Sequence, residues 1–130
     1  MLDADAVALF AAQKNLPAAK AVLSDGLRCL CTSAGAEDEE LQETFLPFDV
    51  VASNPPVHRG QPDDWRVLRG LVDGAKSILK PGGELWLVAQ EHVPVGRFFA
   101  LASQHEEQER KWHTDLDFCD GRFAVWRACL

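Results

Sequence analysis

The sequence predicts an α/β fold: a largely parallel sheet with an antiparallel edge at its carboxyl-terminal side. Three observations carry this reading. Short apolar runs alternate with helical stripes along the chain, the pattern of strand and helix in one layered domain. The longest stripe, Trp65 to Leu79, has apolar residues at 65, 68, 71, 72, 75, 78 and 79, which is helical spacing. Near the end, Lys111 to Phe118 and Arg122 to Ala128 flank Asp120-Gly121, a hairpin turn signal that adds antiparallel strands to the sheet. A chain of 130 residues, 47% apolar and 25% charged, is expected to form one domain over residues 1–130, with a core that needs no disulfide or metal.

The elements follow in order. Ala6 to Asn15 is alanine-rich, with Val7, Phe10 and Ala11 at helical spacing; Asp5 is placed to cap it and Pro17 to end it. Ala21-Val22-Leu23, closed by Ser24-Asp25-Gly26, predicts a short buried strand running into a turn. Cys31 to Thr44 is polar and acidic, a solvated loop or an exposed helix. Phe48 to Ser53 predicts a strand that ends on Asn54-Pro55-Pro56. After the long helix, Lys80-Pro81-Gly82-Gly83 reads as a stop, Glu84 to Ala89 as a strand and Val95 to Ser103 as a helix.

Composition narrows the function classes. No apolar run approaches the ~20 residues of a membrane span. The start Met1-Leu2-Asp3-Ala4-Asp5 is acidic and carries no secretory signal, so the expected location is cytoplasmic and no membrane partner is expected. Cys29-x-Cys31, Cys119 and Cys129 lack zinc-knuckle spacing, and His92, His105 and His113 lack ligand spacing, so no metal is expected. The formal net charge of −7, taken alone, argues against a nucleic-acid binder. Arg66, Arg69, Lys76 and Lys80 fall near one helical face, open to an RNA phosphate or simply to solvent.

The sharpest chemical signal is Asn54-Pro55-Pro56 at the end of an apolar strand, where ligands sit in open α/β sheets. Two prolines stiffen the backbone there. The Asn54 side-chain carbonyl and the Pro55 backbone carbonyl can accept the two N–H groups of an amine and leave its lone pair directed at an electrophile. The competing reading is a surface turn begun by Asn-Pro.

This segment resembles motif IV of class I S-adenosylmethionine-dependent methyltransferases acting on exocyclic or amide nitrogens. Its extended form, Ser53-Asn54-Pro55-Pro56-Val57-His58-x-Gly60, is similar to the small methyltransferase domain of bacterial ribosomal RNA guanine-N2 methyltransferases, which usually read Asn-Pro-Pro-Phe-His-x-Gly. Gly82-Gly83-Glu84-Leu85 and Gly121-Arg122-Phe123-Ala124-Val125 are similar to two later strands of that family. The resemblance implies a Rossmann-like sheet with a carboxyl-terminal antiparallel hairpin. It implies S-adenosylmethionine as cofactor and ribosomal RNA or a ribosomal subunit as substrate. Asn54, Pro55, Pro56 and His58 match the catalytic motif, with Asn54 also lying next to the cofactor. Asp3 matches the carboxylate that holds the cofactor ribose, and Asp25 the group beside its adenine. Asp5 could share the first task or cap the helix, Asp25 could be a plain turn residue, and His58 could orient the base or only shape its loop.

Two departures stand out. Val57 occupies the position of the aromatic residue that stacks on the target base in that family. All nine glycines lie at Gly26 or later, so the first strand and its glycine-rich loop are expected to be missing and the domain to be partial. The favoured activity is methyl transfer to guanine N2 in ribosomal RNA. The alternatives are a protein-glutamine or adenine-N6 methyltransferase, and a non-catalytic or truncated fragment of the same fold.

Overall fold

The computed structural model describes residues 1–31, 46–55, 65–104 and 110–130. The chain divides into two compact units, Met1–Thr44 and Phe45–Leu130.

In the first unit, β1 (Leu2–Asp3) pairs in parallel with β2 (Val22–Leu23), Leu2 opposite Val22 and Asp3 opposite Leu23. Between them runs α1 (Ala6–Asn15), and α2 (Arg28–Cys31) follows β2. Asp5 caps α1 as predicted: its carboxylate accepts from the backbone N–H groups of Val7 (2.8 Å) and Ala8 (3.3 Å). Leu16 closes the helix just before Pro17. Leu9 is the buried residue of this helix, while Val7 and Phe10, which mark the helical spacing in the sequence, are 76% and 63% exposed. Lys14 lies 4.5 Å over the outward-facing Phe10 ring. Among the described residues β1 pairs only with β2, and α1 begins three residues after β1 with no glycine between.

In the second unit, β3 (Phe48–Ser53), α3 (Arg66–Ile78), β4 (Leu79–Gln90), α4 (Val95–Ala102), β5 (His113–Cys119) and β6 (Phe123–Cys129) form a four-stranded sheet in the order β3-β4-β6-β5. β3 and β4 are parallel, and β4–β6 and β5–β6 are antiparallel, so the predicted mixed sheet with its closing hairpin is present. One feature differs from the expectation for Lys80–Gly83. These residues lie within β4 rather than ahead of it, in a bulge that carries the register from Phe48–Leu79 to Val50–Glu84. Gly82 takes φ +76 there, and a Cβ on Gly83 would come within 2.8 Å of the Lys80 carbonyl oxygen.

The core of this unit lies on one face of the sheet. Leu68, Val72, Ala75 and Ile78 of α3 and Val95 and Phe99 of α4 are buried with Leu85, Leu87, Ala124 and Ala128 of the strands. A Cβ on Gly96 would meet the Trp126 ring at 3.1 Å, so α4 rests directly on β6. Phe99 and Trp112 meet edge to face at 5.5 Å between centroids. On the opposite face, Glu84 takes the Trp86 indole N–H at 2.8 Å and pairs with Arg127 across β4 and β6.

Candidate active site

The carboxyl end of β3 carries the central motif. Five ladder positions hold β3 to β4, the last being Ser53 opposite Leu87, so Asn54 leaves the sheet beside a buried strand. Asn54 is exposed and Pro55 buried, an arrangement in which the proline anchors the backbone and leaves the amide side chain open to solvent. Pro56, Val57, His58 and Gly60 lie outside the described residues. Two aromatic residues, Trp65 and Phe98, lie among the described residues of this unit. They pack on one another at 6.2 Å and 52°, joining the start of α3 to α4.

Asp3 and Asp25 both lie at the carboxyl end of the β1–β2 pair. Ser24 donates its backbone N–H to the Asp3 carbonyl at 2.9 Å, and the two aspartates are exposed. One Asp3 carboxylate oxygen takes the Asp5 N–H at 2.8 Å. Asp25 sits in a turn held by the Ser24 hydroxyl, which donates to the Gly26 carbonyl at 3.1 Å, with Gly26 at φ +67.

All four basic residues read as one face are engaged in interactions within the protein. Lys76 is buried and donates to the Ala102 carbonyl, Lys80 pairs with Asp49 at 2.6 Å, and Arg69 reaches Asp73 at 3.8 Å. They do not form a continuous phosphate-binding surface.

A second cluster at the carboxyl end of β4 escaped the sequence reading. Gln90, Glu91, His92, Gly121, Arg122 and Phe123 line an open depression of about 400 Å³. The antiparallel register places Gln90 opposite Phe123, and the Glu91 N–H donates to the Arg122 carbonyl at 3.0 Å. The Asp120 carboxylate accepts from the Phe123 N–H (2.7 Å) and the Arg122 N–H (2.9 Å), and these two bonds hold its pKa below the ordinary value. The signal available in the sequence was the position itself, since β4 ends on the same edge of the sheet as β3.

A parallel α/β sheet finished by an antiparallel hairpin, with Asn-Pro at a strand's carboxyl end, is the architecture of a class I methyltransferase. The chain belongs to the methyltransferase small domain family, whose model matches residues 1–112. It is 34% identical over 82 residues to the ribosomal RNA small subunit methyltransferase C of Alcanivorax borkumensis, covering 63% of this chain and 23% of that protein. It is 33% identical over 81 residues to the ribosomal RNA large subunit methyltransferase G of Streptomyces avermitilis, covering 62% and 19%. The chain thus spans about a quarter or less of the length of these relatives. Among solved structures, the T. thermophilus 16S rRNA N2 methyltransferase in complex with AdoMet and guanosine superposes with a TM-score of 0.65 at 22% identity, over 98% of this chain and 30% of that one. The N-methyltransferase NodS of Bradyrhizobium japonicum gives 0.58 at 14% identity, over 98% and 70%. The fold is shared with both. No helix among the described residues is long and apolar enough to cross a membrane.

Proposed function

We propose that this chain acts in S-adenosylmethionine-dependent methylation of ribosomal RNA, at the exocyclic N2 of a guanine. The observation that carries this reading is Asn54-Pro55 at the carboxyl end of β3, in a chain of the small methyltransferase domain family. The Asn54 side-chain carbonyl accepts one N–H of the target amine and the Pro55 backbone carbonyl the other. The lone pair is then aimed away from both carbonyls, and Pro56 keeps the backbone stiff. His58 orients the base. This is catalysis by positioning and by fixed dipoles, with no covalent intermediate on the protein.

The cofactor supplies the activated methyl group. The donor set present suits its adenosine half: Asp3, exposed and with one carboxylate oxygen outside its bond to Asp5, would take the ribose hydroxyls, and Asp25 the adenine amino group. Residues 1–130 form part of a single methyltransferase domain, and the cytoplasm is its place of action.

The test is a chimera in which residues 1–130 replace the matching segment of the Alcanivorax relative. With S-adenosylmethionine and small-subunit RNA, mass spectrometry of digested RNA is expected to show N2-methylguanosine. A folded chimera that binds the cofactor and leaves guanine unmodified overturns the reading.

A further inference from the structure

The depression between the carboxyl end of β4 and the β5–β6 turn is a second feature at the same edge of the sheet as Asn54. Phe123 is 41% exposed at its wall, so its ring is open to a stacking partner. Next to it the Arg122 side chain is exposed. The backbone beneath these two side chains is fixed before any ligand arrives. Asp120 holds both of their N–H groups, Glu91 donates to the Arg122 carbonyl, and Gly121 takes φ +82, which few other residues adopt. A preorganised site loses little freedom on binding. The depression, about 400 Å³, is shallow and open to solvent, so a ligand there stays partly exposed.

We infer that this depression is a subsite for a nucleotide of single-stranded RNA, whose base stacks on Phe123 and whose phosphate meets the Arg122 fork. An aromatic face beside a guanidinium is the general device for single-stranded nucleic acid, and it tolerates any base. At net charge −7 the chain repels phosphate at long range, so capture has to come from the local Arg122 contact and from stacking. Phe123 lies two strands across from β3 and two ladder steps beyond the level of Asn54. With strands ~4.8 Å apart and ~3.3 Å per residue, that separation is about 12 Å. The subsite therefore receives a nucleotide near the target in the same strand, not the target itself. The inference rests on RNA being the substrate proposed above.

Amide NMR of the whole chain titrated with guanosine 5′-monophosphate tests it. Shifts are expected at Gln90, Glu91, Gly121, Arg122 and Phe123. Phe123→Ala and Phe123→Leu are expected to weaken binding about 5- to 100-fold, and Phe123→Trp to retain it. Arg122→Ala is expected to weaken the monophosphate more than guanosine. In the chimera, Phe123→Leu is expected to raise the RNA KM by a similar factor with kcat nearly unchanged. No shifts at millimolar nucleotide, or equal binding by Phe123→Leu, overturns the subsite, as does a methylating chimera whose KM ignores residue 123. Shifts at these residues together with an inactive chimera uphold the subsite and sink the proposed methylation instead.

Discussion

The Lys76 ammonium donates to the Ala102 carbonyl at 2.6 Å, tying the last turn of the unit's longest helix to the carboxyl end of α4. The last carbonyls of a helix have no partner in their own ladder and carry its negative end, so a cation there is doubly favourable. Lys76 is buried, and its replacement leaves that carbonyl short of a donor. Lys76→Met is expected to lower stability by about 1.5–3 kcal/mol, the range for a hydrogen bond to a charged group. Urea denaturation measures it, and an unchanged midpoint would show that the contact contributes nothing net.

Acid should loosen the second unit through two carboxylates. The Glu84 carboxyl is held below its ordinary 4.5, first by its hydrogen bond to Arg127 and then by the Trp86 indole. Asp120 is held below 3.8 by the Phe123 and Arg122 N–H groups. In both cases the folded value is depressed, so the stabilisation is complete above the unfolded value and is lost as pH falls through the folded one. Stability is therefore expected to be insensitive to these two groups near neutrality and to decline only below the ordinary carboxylate range. Glu84→Gln should flatten part of that decline. A variant whose acid unfolding curve overlays the parent's would remove Glu84 from this account.

Asp3 and Asp5 are two residues apart and have different neighbours, which separates binding from stability. Asp5 holds the first N–H groups of α1, so Asp5→Ala is expected to cost about 1 kcal/mol of stability. Asp3→Ala is expected to reduce cofactor affinity in the chimera, through loss of charge-assisted bonds of roughly 1.5–3 kcal/mol each. Calorimetry with S-adenosylhomocysteine decides: equal dissociation constants for the two variants would contradict the assignment of Asp3.

Much of the fold was legible where local chemistry marks an element. Asp5 and Pro17 bracket α1, Asn54-Pro55 closes β3 and Asp120-Gly121 makes the hairpin. Burial was less legible. In an alanine-rich helix the stripe is weak, and Leu9 faces inward while Phe10 faces out over Lys14. Gly82 and Gly83 read as a helix stop, yet here their freedom serves a bulge inside β4. Lys76 looked like a surface cation because its partner, Ala102, is supplied by another helix. At the site, Asn54 could be read from its own neighbours in sequence. The Gln90–Phe123 depression could not, because two segments thirty-three residues apart meet there only through the β4–β6 register.

Asn54→Ala separates substrate handling from cofactor handling. The side chain stands exposed at the end of β3, while Pro55 behind it is buried, so truncation at 54 removes an acceptor without opening the core. The fold and the thermal midpoint are expected to stay near the parent's, since surface substitutions of this kind stay within about 0.5 kcal/mol. In the chimera, methyl transfer is expected to fall by about 100-fold or more, the loss typical of one preorganised polar group at a reacting centre. The amine then keeps only the Pro55 carbonyl and turns freely about that single bond, so its lone pair is no longer aimed. Affinity for S-adenosylhomocysteine is expected to change little, since the proposed cofactor contacts are made by Asp3 and Asp25 and not by the Asn54 side chain. Transfer within a few-fold of the parent, measured with the RNA saturating, would take Asn54 out of the reaction and return the motif to a surface turn.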